Sequence, residues 1–404
     1  MKKLLFIALF LSFGFSAFAL TFDAGGGTIN AYSSLRLFWQ YQNIDIDRDA
    51  ATAVDYNRGS LPIGAQSNSR LGFTFAKDNY GAQIEFGLNL VDEGSTLRLA
   101  NFNYGFTGIG KFTVGLQPSL TGTDSFFSQK LNSNVRGGDD GASGIGGLAT
   151  ERHAAITFSL EKNLASIQLI PTALYTNAID AAGTNAAYSN TSNQQLIPII
   201  SLGFDGSKAL EVPVRVGLTY ANFTGVADNA TNPKDEETFD VSAFIVSAVG
   251  NPTFGPLTVT LAGFYSYNGN VFGEVKGWDG GSWGSGLNGS VGAITGFQNN
   301  GKAGEIRDIR AFGAAAEVKF KASDTITAVL GGGFQQFSYD KHQIADEDIA
   351  NFGIYANSTI KLGSVFSITP EIDYLSLEST ANNTAKGTDK LSAIIVGAQL
   401  RLDI

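Results

Sequence analysis

The chain reads as an all-β protein, a transmembrane antiparallel β-barrel of sixteen strands, and three observations carry that expectation. Apolar residues make up 43% of 404 and charged residues only 16%, with glycine at 49 positions and phenylalanine at 30. After Ala19 no apolar run approaches the ~20 residues that a membrane-spanning helix needs. Apolar and polar residues instead alternate in short segments down to the C-terminus, the pattern of strands with one face in lipid and the other in water.

The first such segment sets the pattern. Ile29, Ala31, Leu35, Leu37, Trp39 and Tyr41 share one face, and Thr28, Asn30, Ser34, Arg36, Gln40 and Gln42 share the other. Successive side chains of a strand point to opposite faces, so this is a sided strand. Tyr32 and Phe38 fall on the polar face and Ser33 on the apolar one. A hairpin follows. Leu71, Phe73 and Phe75 alternate with Arg70, Gly72 and Thr74, the turn lies at 77–81, and Ala82, Ile84, Phe86, Leu88 and Leu90 alternate with Gln83, Glu85, Gly87 and Asn89.

Continued to the end, the alternation predicts strands over 28–42, 68–76, 82–90, 97–106, 112–117, 152–160, 165–176, 196–204, 212–223, 239–249, 257–267, 308–320, 325–338, 350–360, 365–377 and 391–403. An even count lets an antiparallel sheet close, and closure matters because open strand edges cannot be satisfied in lipid. The connections sort by length. Short turns lie at 77–81, 107–111, 161–164, 205–211, 250–256, 321–324 and 361–364. Long loops lie at 43–67, 118–151, 177–195, 224–238, 268–307, 339–349 and 378–390, with 91–96 a short exception on that side. Short turns at one end and long loops at the other are the signature of an outer-membrane barrel, hence of a Gram-negative envelope. Nothing marks a second domain within 20–404.

The first residues read as a secretory signal. Lys2 and Lys3 precede an apolar run from Leu4 to Phe15, and Ala17-Phe18-Ala19 is an A-x-A cleavage site. Residues 1–19 are therefore expected to be a signal peptide. Without Lys2 and Lys3, 25 basic side chains stand against 37 acidic ones, a formal charge of −12. That argues against nucleic acid as a partner, whose binders are usually basic. Cysteine is absent, so there is no disulfide framework, no cysteine nucleophile and no thiolate metal site.

Extrapolating the alternation turns Arg36, Arg70, Gln83, Glu85, Lys111, Gln117, Arg215, Glu317, Lys319, Glu371, Asp373 and Arg401 into the barrel, together with Phe264 and Tyr355. A sixteen-stranded barrel leaves an aqueous lumen, and inward positions then set what passes.

Two stretches resemble a known family. Ser69-Arg70-Leu71-Gly72-Phe73, followed after a turn by Ala82-Gln83-Ile84-Glu85-Phe86, resembles the second and third strands of the general porins. Leu99-Ala100-Asn101-Phe102-Asn103-Tyr104-Gly105-Phe106 and Gly110-Lys111-Phe112-Thr113-Val114-Gly115-Leu116-Gln117 look like that family's fourth and fifth strands. The local resemblance covers residues 28–118. It implies passive diffusion of small hydrophilic solutes and ions, a homotrimer in outer-membrane lipid and lipopolysaccharide, and an infolded constriction loop after the fifth strand. Here that loop is 118–151, with Asp124, Lys130, Arg136, Asp139 and Asp140. The family's proline-glutamate-phenylalanine signature is missing from it. The segment that latches neighbouring subunits in relatives shrinks here to Val91–Thr96, and the chain ends in Ile404 rather than the usual phenylalanine.

A porin eyelet opposes charges across the lumen. The basic wall is expected from Arg36, Arg70 and Arg98, with Arg215 as a further basic lining residue. Arg98 shares its parity with Ala100, Phe102 and Tyr104, which suits a rim position. The acidic or polar lining is expected from Glu85, Gln117, Glu371 and Asp373, with Asp139 and Asp140 on the loop. The acidic balance predicts a mild cation preference.

Other classes find less in the sequence. His153 and His342 belong to no catalytic motif such as G-x-S-x-G or H-E-x-x-H. The loop acids Asp235-Glu236-Glu237 and Asp346-Glu347-Asp348 lack the spacing of a dedicated Ca²⁺ site. No catalytic residue, metal or cofactor is expected. A substrate-specific channel and a structural or adhesive surface barrel are the alternatives to general diffusion.

Overall fold

In a computed structural model of the chain, the described residues are 20–47, 56–60, 63–66, 69–89, 94–123, 145–148, 152–161, 164–173, 196–209, 213–227, 237–272, 274–275, 298–299, 306–339, 347–380 and 388–404. They form sixteen antiparallel staves. These are β1 (Gly27–Asp47), β2 (Tyr56–Ser60, Ile63–Ala65 and Arg70–Lys77 in line), β3 (Tyr80–Asn89) and β4 (Gly94–Phe106). Next come β5 (Gly110–Pro118), β6 (Arg152–Leu160), β7 (Ala165–Ala173) and β8 (Leu196–Asp205). The far wall is β9 (Val214–Ala227), β10 (Glu237–Gly250), β11 (Leu257–Tyr267) and β12 (Ile309–Lys321). The last four are β13 (Ile326–Tyr339), β14 (Glu347–Lys361), β15 (Phe366–Thr380) and β16 (Thr388–Asp403).

Each stave pairs with the next, and β16 closes on β1 from Ser34↔Asp403 to Asp47↔Lys390. Closure supplies partners for the strand edges, each of which would otherwise cost several kcal/mol per unpaired group in lipid. A short strand, Leu20–Ala24, continues the line of β16 beside β1. Ile404 and Ser33 exchange two backbone hydrogen bonds of 2.8 and 3.0 Å, and the pairing then runs on from Leu20↔Ala31. Gly25 and Gly26 turn that hairpin at φ 58 and 80, a left-handed pair that glycine adopts without a Cβ penalty.

The alternation sets the faces. On β12, Phe312, Val318 and Phe320 point out while Ala311, Ala315 and Glu317 point in; on β16, Ile394, Val396 and Leu400 point out and Ile395 and Gln399 in. Outward apolar side chains ring the barrel from Trp39 on β1 to Leu400 on β16.

The staves run further than the alternation alone suggested, and residues assigned to long loops are partly strand. β1 continues to Asp47 and β2 begins at Tyr56, so most of 43–67 is paired backbone, with Gln42–Ile46 opposite Tyr56–Ser60. Likewise β9 and β10 extend to Ala227 and from Glu237, and β15 and β16 to Thr380 and from Thr388. The extension of β15 and β16 is polar, Glu378-Ser379-Thr380 against Thr388-Asp389-Lys390, and Lys390 pairs with Glu378 at 3.4 Å beside the backbone ladder. At the opposite end, a short helix, Gly206–Ala209, occupies the 205–211 turn, and Lys321 closes the 322–325 turn 2.7 Å from Asp324. The Lys321 ammonium holds the Asp324 carboxyl below its usual range, although an ion pair this exposed adds little stability.

The interior is not a uniformly polar lining. Ile170, Ile199, Ile245, Phe264 and Phe337 point inward and form an apolar cluster with Leu148, Phe272 and Val275. Those last three come from the connections after β5 and β11. The described parts of both connections therefore bury side chains against the inner wall.

Candidate functional site

The described parts of the connection after β5, residues 119–123 and 145–148, rest on a hoop of small residues. Gly203 on β8 is opposite Gly217 on β9, which is opposite Ser247 on β10. Further round, Phe264 faces Gly313, and Gly333 on β13 faces Gly353 on β14. Glycine in a strand marks a place where another backbone comes close. A Cβ on Gly203 would lie 3.3 Å from Leu120, and one on Gly217 would lie 2.7 Å from the Leu120 carbonyl oxygen. A Cβ on Gly333 would overlap the Ile145 carbonyl oxygen. The two ends of the loop are also joined, since the Leu148 amide donates to Thr123 Oγ1 at 2.8 Å and the Thr123 amide to the Leu148 oxygen at 3.2 Å. Ser247 Oγ donates to the Thr121 oxygen at 2.7 Å. Glu274, from the connection after β11, accepts from the Thr121 hydroxyl and stands 4.0 Å from His153.

The charged side chains fall into two sectors. The basic one spans β16, β1, β2 and β4. Arg36 lies directly opposite Arg401, and Arg70 opposite Ser34. Like charges directly opposite on one sheet face repel. Arg401, Arg70 and Arg98 all act electrostatically on the Arg36 guanidinium, so the four form one cluster. Acids relieve it in part. Arg401 Nε donates to Asp403 at 2.8 Å. Glu85 is 4% exposed and accepts from Arg98 Nε at 3.0 Å, with Arg70 Nε 3.9 Å away.

Arg98 is no rim residue. The pairing of β3 with β4 shifts register between Glu85 and Phe86, so that Glu85 faces Leu99 while Phe86 faces Leu97. Arg98 is the extra residue of a β-bulge, which re-aims a side chain without changing its neighbours. Leu97 and Phe102 point out, 49% and 74% exposed, yet Arg98 is 9% exposed and turns inward over Gly87.

Glu85 is held from the other side by Tyr32. The Tyr32 ring lies over Gly72 on β2 and its hydroxyl donates to Glu85 Oε2 at 2.9 Å. The same arrangement recurs across the barrel. Tyr355 on β14 lies over Gly331 on β13 and donates to Glu317 Oε2 on β12 at 2.8 Å. In each case the tyrosine, the glycine and the glutamate are successive cross-strand partners. The aromatic on the polar face of β1 thus has a use that the alternation alone could not show. Gly72→Ala and Gly331→Ala should each force the ring off its bed and cost ~1–3 kcal/mol in overpacking and lost hydrogen bonding. The check is the temperature at which the folded band on a semi-native gel converts to the unfolded one; an unchanged temperature contradicts the arrangement.

The acidic sector spans β12 to β15. Glu317, Glu371 and Asp373 are 3%, 4% and 1% exposed. Glu371 accepts from Asn357 Nδ2 at 2.8 Å, and Glu317 lies 3.8 Å from Lys319. Glu317, Glu371 and Asp373 stand on the inner face of the wall, the parity that the alternation gives them. Asp139 and Asp140 lie outside the described residues. Gln117 is buried and donates to the Ala155 oxygen at 2.8 Å, a bond within the wall. Arg215 starts β9 on the inward parity, half-buried and far from the arginine cluster along the sheet. Lys111 and Lys319 share that parity but are exposed near the turns. Sequence reasoning missed Ser69, whose hydroxyl accepts the Arg36 amide at 3.0 Å and repairs the break in β2.

No family model matches the chain, and no curated protein matches it. Solved structures do. The outer membrane channel DcaP of Acinetobacter baumannii is similar with a TM-score of 0.60 at 11% identity, over 95% of this chain and 99% of that one. An anion-selective porin from Comamonas acidovorans gives 0.52 at 14% identity, over 94% and 100%. A trimer form of OmpT, an outer membrane protein of Vibrio cholerae, gives 0.50 at 15% identity, over 95% and 100%. At such identities the likeness is one of fold, that of a closed antiparallel outer-membrane barrel. A closed barrel with an apolar outer belt is a membrane-spanning form, and the outer membrane is where this chain resides.

Proposed function

We propose that this outer-membrane barrel is a porin, a water-filled channel for passive diffusion of small hydrophilic solutes and ions. The observation that carries this reading is the cluster of Arg36, Arg70, Arg98 and Arg401 around Glu85 on the inner wall. Four guanidinium groups gathered on a barrel's inner face repel one another, and water or a passing anion relieves that repulsion. In the proposed eyelet, the 118–151 loop narrows the lumen from the β8–β14 side, and Arg36, Arg70 and Arg98 form the basic wall. Glu85, Glu371 and Asp373 supply the acidic lining, Arg215 and Gln117 line the wall elsewhere, and Asp139 and Asp140 are proposed as the loop's acids. Residues 1–19 are proposed as the signal peptide, and a homotrimer in lipid and lipopolysaccharide as the working assembly; the trimer form of the Vibrio neighbour supports the latter. No catalytic role is proposed; His153, the one histidine among the described residues, stands 4.0 Å from Glu274.

Among the described inward residues Arg36, Arg70, Arg98, Arg215 and Arg401 stand against Glu85, Glu317, Glu371, Asp373 and Asp403, so the preference between ions is taken from the acidic excess of the whole chain. A net −12 without the leader concentrates cations at the mouth. This field is screened at ~10 Å in 0.1 M salt and ~3 Å in 1 M salt. Purified protein in a planar bilayer is therefore expected to open stable pores with a mild cation preference in dilute KCl that fades in concentrated KCl. A reversal potential favouring chloride in dilute salt contradicts the preference. A barrel that folds but opens no pores contradicts the channel and favours a structural or adhesive surface role.

A further inference from the structure

We infer that Asp373, with Glu371 beside it, is a binding site for the ammonium group of a small organic amine. Asp373 is 1% exposed, and among the described residues no amide or hydroxyl donor reaches either of its carboxylate oxygens, which lie against the Glu371 carboxyl. The other acids of this sector are held: Glu317 by Tyr355, and Glu371 by Asn357. A buried carboxylate left without a donor is costly, and native structures relieve it with a proton, ordered water, an ion or a ligand.

The surroundings define what fits. Across the sheet, Asp373 is flanked directly by Tyr355 and Ile395, and along β15 by Glu371 and Leu375. One step further on, Ile145 of the infolded loop caps Gly353 beside Leu375. Two carboxylates at the foot of an aliphatic and aromatic wall suit a cationic head on an alkyl arm. An ammonium carries three donors and is satisfied by two or three acceptors. A calcium ion takes 6–8 oxygen ligands, and among the described residues no three Asp, Glu, His or Cys side chains are arranged to hold a metal. The inference rests on the channel reading for access, because an amine reaches Asp373 through the lumen.

The test uses the full folded barrel and hexamethylenediamine as the probe. In planar bilayers the diamine is expected to block the wild-type current in a concentration-dependent way, while neutral hexanediol does not. Asp373→Asn and Glu371→Gln should each weaken the block about tenfold or more, the loss of one charge-assisted hydrogen bond. Calorimetric binding of the diamine to the detergent-solubilised barrel should show the same order of variants. Conducting pores that the diamine neither blocks nor binds overturn the site and leave the channel standing. A barrel that does not conduct but binds the diamine through Asp373 overturns the channel and keeps the site. Should Asp373→Asn fail to fold, Glu371→Gln decides. A variant that folds, and is blocked and binds like wild type, overturns the inference.

Discussion

Replacing Gly333 with valine widens the pore. The wall at this point is in contact with backbone, since an added Cβ overlaps the Ile145 carbonyl oxygen. A side chain could rotate away, but a carbonyl can move only with its chain segment. Residues 145–148 would therefore leave β12–β14, and Ile145 and Leu148, 5% and 0% exposed, would lose their burial. Each buried aliphatic side chain is worth ~1.5–3 kcal/mol, so releasing both removes ~3–6 kcal/mol from the anchored state. A shift of ~5.5 kcal/mol takes a two-state equilibrium from almost wholly one side to almost wholly the other. Single-channel conductance of Gly333→Val should exceed that of the wild type, with added current noise as the freed loop moves. Gly105→Ala is the control, because its Cβ would meet only the Asn79 oxygen at 3.8 Å. A folded Gly333→Val barrel with wild-type conductance would show that this anchor does not narrow the channel.

The same glycines explain what could be read in advance. Sidedness was legible: Trp39 and Tyr41 outward with Gln40 inward follow from period two alone. The hoop was not. Gly203, Gly217, Gly313, Gly333 and Gly353 each look like a weak point in a strand, and only the pairing register puts the first three on one line of cross-strand partners and the last two on a line two residues away. Register is set by pairing with the neighbouring strand, 14 residues on for Gly203 and Gly217 and 49 for Phe264 and Gly313, and a linear pattern does not carry it. Arg98 failed to read for a related reason. A bulge adds one residue to one strand of a pair, so parity counted along β4 is wrong on one side of the insertion. The bulge at Arg98 leaves no local mark in Thr96-Leu97-Arg98-Leu99. The extension of β15 and β16, Glu378-Ser379-Thr380 with Thr388-Asp389-Lys390, lacked an alternating signal, since backbone pairing needs no particular side chains.

Register also reveals why the barrel tolerates so many buried charges. The tyrosine devices on the two sides fix one glutamate each. Tyr32 ties β1 to β3 across β2, and Tyr355 ties β14 to β12 across β13. Each glutamate then faces a cation, Arg98 for Glu85 and Lys319 for Glu317. A carboxylate held by a phenol keeps its direction, so the arginine or lysine paired with it has a fixed anchor. Fixed charge costs little reorganisation when an ion passes, whereas a mobile side chain would have to be ordered each time.

Glu85→Gln carries the second large effect, because Glu85 serves both stability and selectivity. It is the 3.0 Å partner of Arg98 and the acceptor of the Tyr32 hydroxyl. Removing one member of a buried ion pair costs ~3–5 kcal/mol, since the remaining charge stays buried without compensation. Water in the lumen can reach Arg70, whose side chain is 35% exposed, but Arg98 at 10% has less access. The variant should therefore unfold at a lower temperature on semi-native gels. Its pore should also turn toward anions, as the cluster gains one net positive charge where Arg36 and Arg401 already face each other. Arg36→Gln is expected to move the reversal potential the opposite way, because it removes one of the two like charges. If Glu85→Gln and Arg36→Gln shift the reversal potential in the same direction, the cluster around Glu85 is not the charged surface that ions meet.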